Sequence, residues 1–398
     1  MRIDYSSRIF GLDLLRAIAI LGVLGSHILW IFPDADGLLA YVLRFGGVMG
    51  VEIFFVLSGF LIGRILYRLF TKDQFKAQHF SYFLVRRWFR TLPNYYVILI
   101  LNILLVMAIG RELPDTLPLY FGFLQNFKEG MDIFFTESWS LPIEEFAYIL
   151  GPLLLMLGAF LFKNRKESDI ITEQQSLNAK PASRIFLGVT IFVLLVFLVN
   201  KIFYVTRLTD TSVDYWNINL KAVLWYRIDA IYYGVLAAYL SIVYQDLWIR
   251  NARVIAVVGV LLFLFLQGVM SVYQLTSDKS PWLWNVFLLP LMSLIYASFL
   301  PLLSQWRQRP KFLGKTLTVI SLISYAVYLL HYGIILQAMR WVWPIEMMTT
   351  SMRVVYTLIY LILVFGLSYS WYRLFEKPMM DLRDKPSIKR CFAINDKK

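Results

Sequence analysis

The feature that most constrains this chain is a series of apolar runs long enough to cross a membrane. Of its 398 residues, 59% are hydrophobic and only 16% are charged, a balance unlike that of a soluble domain. A helix of about 20 apolar residues crosses the hydrocarbon core of a bilayer. The sequence therefore predicts an all-α, multi-pass protein of the lipid bilayer. We expect ten transmembrane helices, at 12–32, 50–70, 92–110, 141–162, 185–204, 221–243, 254–273, 283–303, 317–339 and 352–374.

The distribution of positive charge predicts the orientation of these spans. Lys and Arg accumulate in the cytoplasmic loops of membrane proteins. With a cytoplasmic N-terminus and ten spans, 29 of the 39 Lys and Arg residues fall in or beside cytoplasmic segments. We therefore expect both termini in the cytoplasm, one membrane domain over 1–380 and a basic cytoplasmic tail over 381–398. The polar segment 163–184 is typical of a flexible linker.

Composition and motifs exclude several classes of function. Cytoplasmic loops explain the net charge of +13, and no basic run accompanies a soluble recognition fold, so nucleic acid is not an expected partner. The single cysteine, Cys391, lies in the polar tail, which excludes a disulfide within the chain. The sequence has no phosphate-binding glycine loop and no Cys/His metal spacing. We therefore predict neither a metal site nor a permanently bound cofactor.

The first span contains two ionisable side chains, Arg16 and His27, which are costly in a membrane and so indicate function. They lie roughly 16 Å apart along a helix, with Arg16 nearer the cytoplasm. His27 is either a general base that deprotonates an acceptor hydroxyl or a packing residue that hydrogen-bonds a neighbouring span. Arg16 shares a helical face with Asp13, as an interfacial ion pair or as a contact for phosphate.

A basic group opens the third span, where Arg86, Arg87 and Arg90 lie among aromatic residues just before Pro93. Arg87 and Arg90 are three residues apart and so share a helical face. Guanidinium groups suit phosphate, as in a nucleotide or coenzyme A. The alternative interpretation is simple anchoring of the span at the cytoplasmic surface.

Acidic residues open two spans on the outer side. Glu52, at the start of the second span, either pairs with a cation or lies in the interface. Glu144 and Glu145 open the fourth span, just after Trp139, which is typical of an interfacial aromatic residue. These two acids either complement the dipole of the helix N-terminus or mark a functional site.

Two later spans also carry polar residues. Arg227 and Asp229 are two residues apart and point to different faces, so we expect each to pair with another helix, in a structural network or in a catalytic site. His331, with Tyr328 and Tyr332 close by, is either a packed, hydrogen-bonded residue or part of the site.

Taken in order, seven segments of the chain resemble the acyltransferase-3 family of integral membrane acyltransferases, which modify cell-surface glycans and related acceptors. The segments are GLDLLRAIAILGVLGSH, GVEIFFVLSGFLI, FLVRRWFRTLPNYY, WSLPIEEFAY, RIDAIYYGVLAA, SYAVYLLHYG and FEKPMMDLR. They run over residues 11–383. Residues 144–148 depart from the family pattern, because they read Glu-Glu-Phe-Ala-Tyr where Glu-Glu-Gln-Phe-Tyr is usual. The identity of the acceptor is therefore poorly predicted by analogy.

The resemblance implies transfer of an acyl group, acetyl in the first place, from acyl-coenzyme A to a hydroxyl of a glycan or of its lipid-linked precursor. It implies that His27 is catalytic, that Arg16 is its motif partner and that the basic group of the third span meets the coenzyme. It also implies an outer element, which consists of Trp139, Ser140, Glu144 and Tyr148.

These implications give an expected mechanism. Arg86, Arg87 and Arg90 hold the phosphates of the coenzyme, with Arg16 nearer the thioester. His27 deprotonates the acceptor hydroxyl or briefly carries the acyl group, and Glu144 orients the histidine or the sugar. The remaining polar residues are candidates for an acceptor site or supporting network, namely Asp13, Glu52, Arg227, Asp229 and His331.

Two other classes of function are compatible with the same features. A transporter or flippase of polyprenyl-linked glycans would also have about ten spans and a basic inner face, but it needs a continuous polar path and no coenzyme site. A membrane sensor or scaffold predicts that neither His27 nor the arginines matter to any turnover. The family resemblance implies a bacterial inner membrane, and association into a homo-oligomer is left open.

Overall fold

The protein is helical throughout the part of the chain that the structure describes. The structure is a computed structural model and describes residues 8–71, 77–162, 181–385 and 388. These residues form nine helices long and apolar enough to cross a membrane, and they form no strand. The predicted all-α membrane architecture is thus confirmed, whereas the cytoplasmic position of both termini stays a prediction. Most of the predicted linker 163–184 and of the tail 381–398, with Cys391, lies outside the described residues.

Ten main helices follow one another along the chain. They are α1 (Phe10–Ile28), α2 (Gly37–Phe70), α3 (Ala77–Ala108), α4 (Ser140–Phe162), α5 (Pro181–Val205), α6 (Asp229–Val243), α7 (Ala252–Val272), α8 (Leu288–Leu303), α9 (Gly314–Leu330) and α10 (Thr350–Trp371). Short helical segments join them, at Leu117–Phe121, Thr136–Trp139, Val213–Trp216, Leu224–Tyr226, Gln245–Arg250, Gln337–Val342 and Lys377–Leu382. Wider π turns occur at Asn217–Lys221, Leu283–Phe287, His331–Leu336 and Tyr372–Glu376.

The sixth predicted span, 221–243, differs from the helix that forms there. Helix α6 begins only at Asp229 and has 15 residues, because a π turn and the segment Leu224–Tyr226 occupy the preceding sequence. At 1.5 Å per residue, a helix of this length extends roughly 22 Å, which is less than the hydrocarbon core of a bilayer. The sixth span is therefore only partly a regular helix.

Helices α2 and α3 extend further than the apolar pattern predicted. They have 34 and 32 residues: α2 also takes in the largely apolar residues 37–49 before its predicted span, and α3 continues from its membrane part through the polar residues that precede it. Arg and Lys are good helix formers and do not end a helix by themselves. The arginines 86, 87 and 90 therefore lie well inside α3, which begins at Ala77.

The chain forms two compact units, each assembled from separate stretches of sequence. The first unit comprises Met1–Phe54, Tyr82–Pro142 and Trp306–Lys398, and the second comprises Phe55–Ser81 and Ile143–Gln305. Within the first unit, α1 packs along α9 and α9 packs against α10. Within the second unit, α6 packs against α5 and α8, and α8 packs against α7.

Glycines let two helices of the second unit meet backbone to backbone. A Cβ atom at Gly59 in α2 would lie 1.8 Å from the carbonyl oxygen of Ile231, and one at Gly234 in α6 would lie 2.1 Å from the carbonyl oxygen of Val56. Backbone atoms cannot move aside as a flexible side chain does. These glycines therefore set the distance between α2 and α6, as small residues commonly do between membrane helices.

We expect Gly59→Ala to destabilise the protein by about 1–3 kcal/mol, the usual cost of overpacking. The thermal unfolding midpoint of the detergent-purified protein measures the effect. Gly188→Ala in α5 is the matched control, since a Cβ atom there meets nothing within 4 Å. Equal midpoints for the two variants would contradict the close approach of α2 and α6.

Candidate active site

Two histidines meet in the first unit. His27 lies in the last turn of α1, and His331 begins the π turn that follows α9. Nε2 of His331 lies 2.8 Å from Nδ1 of His27, and the two ring centroids are 4.7 Å apart. His331 is fully buried, whereas His27 is half-buried. The structure thus brings together two predicted site residues that are separated by some three hundred positions in the sequence.

The backbone around His331 determines which nitrogen of each ring carries hydrogen. Nδ1 of His331 lies 3.0 Å from the carbonyl oxygen of Val327 and 2.8 Å from that of Tyr328. Carbonyl oxygens only accept, so Nδ1 of His331 must donate, and in the neutral ring its Nε2 must accept. Nδ1 of His27 is therefore the donor between the rings. A neutral His27 in this arrangement has its hydrogen on Nδ1 and its lone pair on Nε2.

A buried carboxyl group lies beside the histidines along the same π turn. Glu137 is 3% exposed, and its Oε1 accepts a hydrogen bond of 2.8 Å from the backbone N–H of Gly333. A Cβ atom at position 333 would lie 2.5 Å from Oδ1 of Asn102 and 2.7 Å from Oε1 of Glu137, so only glycine fits there. The other oxygen of Glu137 has no hydrogen-bond partner among the described residues.

Glu137 was missed in the sequence, although a signal was present. It precedes the Trp139 element by two residues, just outside the apolar run, where an acid is easily interpreted as part of a polar loop. Thr136–Trp139 forms a short helical segment that continues into α4, and this turn carries the carboxyl group inward. The same segment supplies Ser140, whose Oγ lies 2.7 Å from the hydroxyl of Tyr328.

Aromatic rings cover the histidine pair. The ring of Tyr332 lies 4.9 Å from that of His27, and Trp30 packs against Tyr332 at 5.9 Å. The backbone carbonyl of Trp139 accepts a hydrogen bond from the side chain of Asn126. Ser140 lies near the pair through Tyr328, whose hydroxyl is 2.7 Å from Oγ of Ser140 and whose ring centroid is 6.1 Å from that of His331.

A second polar group lies at the other end of α1. Asp13 accepts two hydrogen bonds from Arg8 and a third, of 3.0 Å, from the hydroxyl of Ser321. Arg16 donates to the same hydroxyl at 3.3 Å and lies 3.7 Å from Asp13. The predicted shared face of Asp13 and Arg16 is therefore observed, and Arg8 is the closer cation to Asp13.

The two polar groups show that α1 and α9 run parallel. Arg16 meets Ser321 at one level, and His27 meets His331 at the next. The buried residues of α1 between these levels are apolar or small, namely Ala17, Ala19, Ile20, Val23, Leu24 and Gly25. A mainly apolar stretch of α1 thus separates its cationic end from its histidine end.

The arginines of α3 divide into two groups. The charges of Arg90, Arg8 and Arg87 act electrostatically on Arg16, so each of the three lies within electrostatic range of Arg16. Arg86 instead forms an exposed ion pair of 3.5 Å with Asp384 and lies over the ring of Tyr82. The structure therefore assembles Arg87 and Arg90, but not Arg86, with Arg16.

In the second unit, Glu144 belongs to an ordered hydrogen-bond chain. The hydroxyl of Tyr148 donates to Oε2 of Glu144 at 2.7 Å, so the hydroxyl of Ser58, 2.6 Å from it, donates to Tyr148. Glu145, in contrast, is buried. This chain links two predicted residues of the outer element, and a role for it in catalysis stays a prediction.

The remaining predicted residues are buried. Glu52 is 1% exposed, and Arg227 is fully buried with its guanidinium over the ring of Phe55. Asp229 forms an ion pair with Lys201 of α5, which the sequence analysis did not single out. Asp229 thus pairs with another helix, as its position two residues from Arg227 predicted.

Comparisons with known proteins identify the family of the chain. The family model of the acyltransferase domain named acyltransferase 3 matches residues 9–373, so the chain belongs to this family of acyltransferases. The chain is 34% identical over 170 residues to YrhL of Bacillus subtilis, provisionally named a peptidoglycan O-acetyltransferase, covering 39% of this chain and 25% of YrhL. No solved structure matches the chain significantly.

Two further relatives show how far the similarity extends. Peptidoglycan O-acetyltransferase OatA of Listeria monocytogenes is 29% identical over 170 residues, covering 39% of this chain and 25% of OatA. A provisionally named O-acetyltransferase of Staphylococcus aureus (strain COL) is 26% identical over 349 residues, covering 82% of this chain and 50% of the relative. The chain thus spans a quarter to a half of the length of the curated relatives it matches.

We expect Lys201→Met to destabilise the protein by roughly 3–5 kcal/mol, because Asp229 would keep a buried charge without its cation. The double variant Lys201→Met/Asp229→Leu should recover most of this loss, since it removes both charges. Denaturant unfolding in detergent compares the two. A double variant no more stable than Lys201→Met would show that the ion pair is not the source of the effect.

Proposed function

We propose that the protein is a membrane-embedded O-acyltransferase that moves an acetyl group from acetyl-coenzyme A to a hydroxyl of a cell-surface glycan or of its lipid-linked precursor. The observation that carries this proposal is the hydrogen-bonded pair of His27 and His331. The names of the relatives support an acetylated glycan as product, and peptidoglycan is the first acceptor to test. The bacterial relatives support a place in the inner membrane.

The pair gives His27 the properties of a general base. With hydrogen on Nδ1 held by His331, Nε2 of His27 takes the proton of the acceptor hydroxyl. The oxygen attacks the thioester carbonyl, the carbon–sulfur bond breaks, and the coenzyme leaves as a thiolate that receives the proton from His27. His331 touches neither substrate in this scheme, so it is a positioning residue.

The cationic end of α1 supports an anionic donor. Arg8, Arg87 and Arg90 each act electrostatically on Arg16, and Asp13 pairs with Arg8 and with Arg16. Guanidinium forks bind phosphate through paired hydrogen bonds. We propose that Arg16, Arg87 and Arg90 hold the coenzyme phosphates and that Arg86 contributes less, because it pairs with Asp384.

The outer element has a supporting role in this proposal. The hydrogen-bond chain from Ser58 through Tyr148 holds the carboxylate of Glu144 as an acceptor, and Glu144 is proposed as a supporting residue of the reaction. No permanently bound cofactor is needed, because the coenzyme is a co-substrate and the base is a side chain.

We expect His27→Ala to lower kcat for acetyl transfer by roughly 10²–10⁴-fold, the usual contribution of a general base. Transfer of labelled acetyl from acetyl-coenzyme A to peptidoglycan fragments or chitotetraose measures it in the detergent-purified protein. His79→Ala, at the third histidine of the chain, is the matched control. Full activity in a folded His27→Ala variant would refute the assignment, and failure of the folded wild type to bind acetyl-coenzyme A would favour a transporter.

The double variant Arg87→Ala/Arg90→Ala should raise KM for acetyl-coenzyme A roughly tenfold or more, because each lost charge-assisted hydrogen bond costs about 1.5–3 kcal/mol. We expect a smaller effect of Arg86→Ala, and none of Arg253→Ala, an exposed basic residue of α7. Equal effects of all these variants would indicate a general loss of positive charge rather than a phosphate site.

Two substitutions of His331 distinguish a role in setting the tautomer of His27 from a role in packing. His331→Gln keeps an amide oxygen that can accept from His27, whereas His331→Leu has no acceptor. We expect the Leu variant to lose about 100-fold in kcat at unchanged KM for acetyl-coenzyme A, and the Gln variant to keep most of the activity. Equal losses in both variants, at equal unfolding midpoints, would exclude the hydrogen bond as the cause.

A further inference from the structure

A polar cavity opens in the first unit next to the histidine pair. It has a volume of about 540 Å³ and lies between the C-terminal part of α3, the segments 111–116 and 132–136, and the π turn after α9. Pockets that hold small organic ligands have volumes of about 300–1,000 Å³. This cavity is therefore large enough for one or two sugar rings, and no step described so far uses it.

The cavity reaches the proposed base through one side chain. Tyr332 lines it and also packs on the ring of His27, with the ring centroids 4.9 Å apart. Gly333 lines it too, and its N–H binds the buried carboxyl group of Glu137. The second oxygen of Glu137, without a partner among the described residues, is buried behind the cavity wall and is not part of the lining.

The lining is suited to a pyranose ring. Tyr332 and Phe134 provide aromatic surface for the apolar C–H face of a sugar, and the amides of Asn102 and Gln337 provide donors and acceptors for its hydroxyl groups. Aromatic surface combined with placed polar groups is typical of a site that orients one small molecule.

The charges of the lining distinguish between kinds of sugar. Glu112, Asp115 and Asp132 carry three negative charges, and Arg111 carries the one positive charge among the lining residues. This excess of negative charge repels a sugar that carries a carboxylate or phosphate, but it does not repel an uncharged or amine-bearing sugar. All four charged residues are exposed, so the repulsion is screened by salt within about 8–10 Å at physiological ionic strength.

We infer that this cavity binds the sugar acceptor beside His27, and that it takes uncharged or amino sugars and rejects uronic acids and phosphorylated sugars. The inference rests on the proposed function for the identity of the bound sugar as acceptor. It adds the class of sugar, the place where the sugar binds and the residues that select it.

Binding of three tetrasaccharides to the detergent-purified full chain tests the selectivity without any acetyl donor. The probes are chitotetraose, which is uncharged, a glucosamine tetrasaccharide, which carries amines, and a hyaluronan tetrasaccharide, which carries carboxylates. Calorimetry at low ionic strength should show at least about tenfold weaker binding of the hyaluronan probe, with a smaller difference at high salt. Equal or tighter binding of the anionic probe, or no binding of the other two, overturns the inference.

Two adjacent positions of α3 provide a matched pair for the location. Val106 lines the cavity, whereas Met107 is exposed and is not part of the lining. Val106→Trp should abolish chitotetraose binding, and Met107→Trp should leave it within about twofold. Both variants introduce the same side chain, so loss in both, or in neither, overturns the assignment of the sugar to this cavity.

A charge variant tests the basis of selection. Asp132→Asn should narrow the difference between the hyaluronan probe and chitotetraose severalfold, whereas Asp278→Asn, an acid of the second unit, should not. An unchanged difference in the Asp132 variant overturns the charge argument.

The outcomes for the cavity and for the proposed function are distinguishable. Sugar binding that follows the expected pattern without acetyl transfer by the wild type would refute the acyltransferase proposal and leave the cavity assignment in place. Acetyl transfer that is unaffected by Val106→Trp would refute the cavity assignment and leave the acyltransferase proposal in place.

Discussion

The hydrogen bond between the two histidine rings is the interaction on which the candidate site depends. An imidazole that is neutral has one donor and one acceptor, so the direction of a chain of two rings is set at its buried end. Here the carbonyl groups of Val327 and Tyr328 set that direction. They are positioned by the change from α-helix to π turn at His331, and π turns within helices are frequent at functional sites. A local irregularity of one helix thus determines where the lone pair of His27 lies on another.

The parallel packing of α1 on α9 extends this dependence to the cationic end. The same two helices supply Arg16 with Ser321 and His27 with His331, in the same order along both. Polar side chains within a membrane are tolerated where neighbouring helices satisfy them, and the partners here come mainly from one helix. A shift of α9 by one turn would therefore break both contacts together.

The sequence predicted what is local and missed what depends on packing between distant segments. Periodicity and charge located the helices, and the spacing of Asp13 and Arg16 gave their shared face, because both are set within a few residues. The ion pair of Lys201 with Asp229 could not be found in this way, since a lysine near the end of an apolar run looks like a residue that anchors the span at the membrane surface. Glu137 was missed for a similar reason: only the π turn, which places the N–H of Gly333 on its carboxyl group, distinguishes it from a loop acid. The contacts between α1 and α9 could not be predicted from the sequence either, because they depend on the register of two helices that are separated by most of the chain.

The distance between the two levels restricts the chemistry that could use both. Arg16 and His27 are roughly 16 Å apart along α1, and the buried residues of α1 between them are apolar or small. A donor that reacts at its phosphate would place its reacting atom among the guanidinium groups, far from the base. A donor whose phosphates and reacting carbonyl are separated by a long flexible arm can engage both levels at once, and acyl-coenzyme A has this form. The distance that one straight helix imposes is thus itself an argument for a thioester donor over a phosphoryl donor.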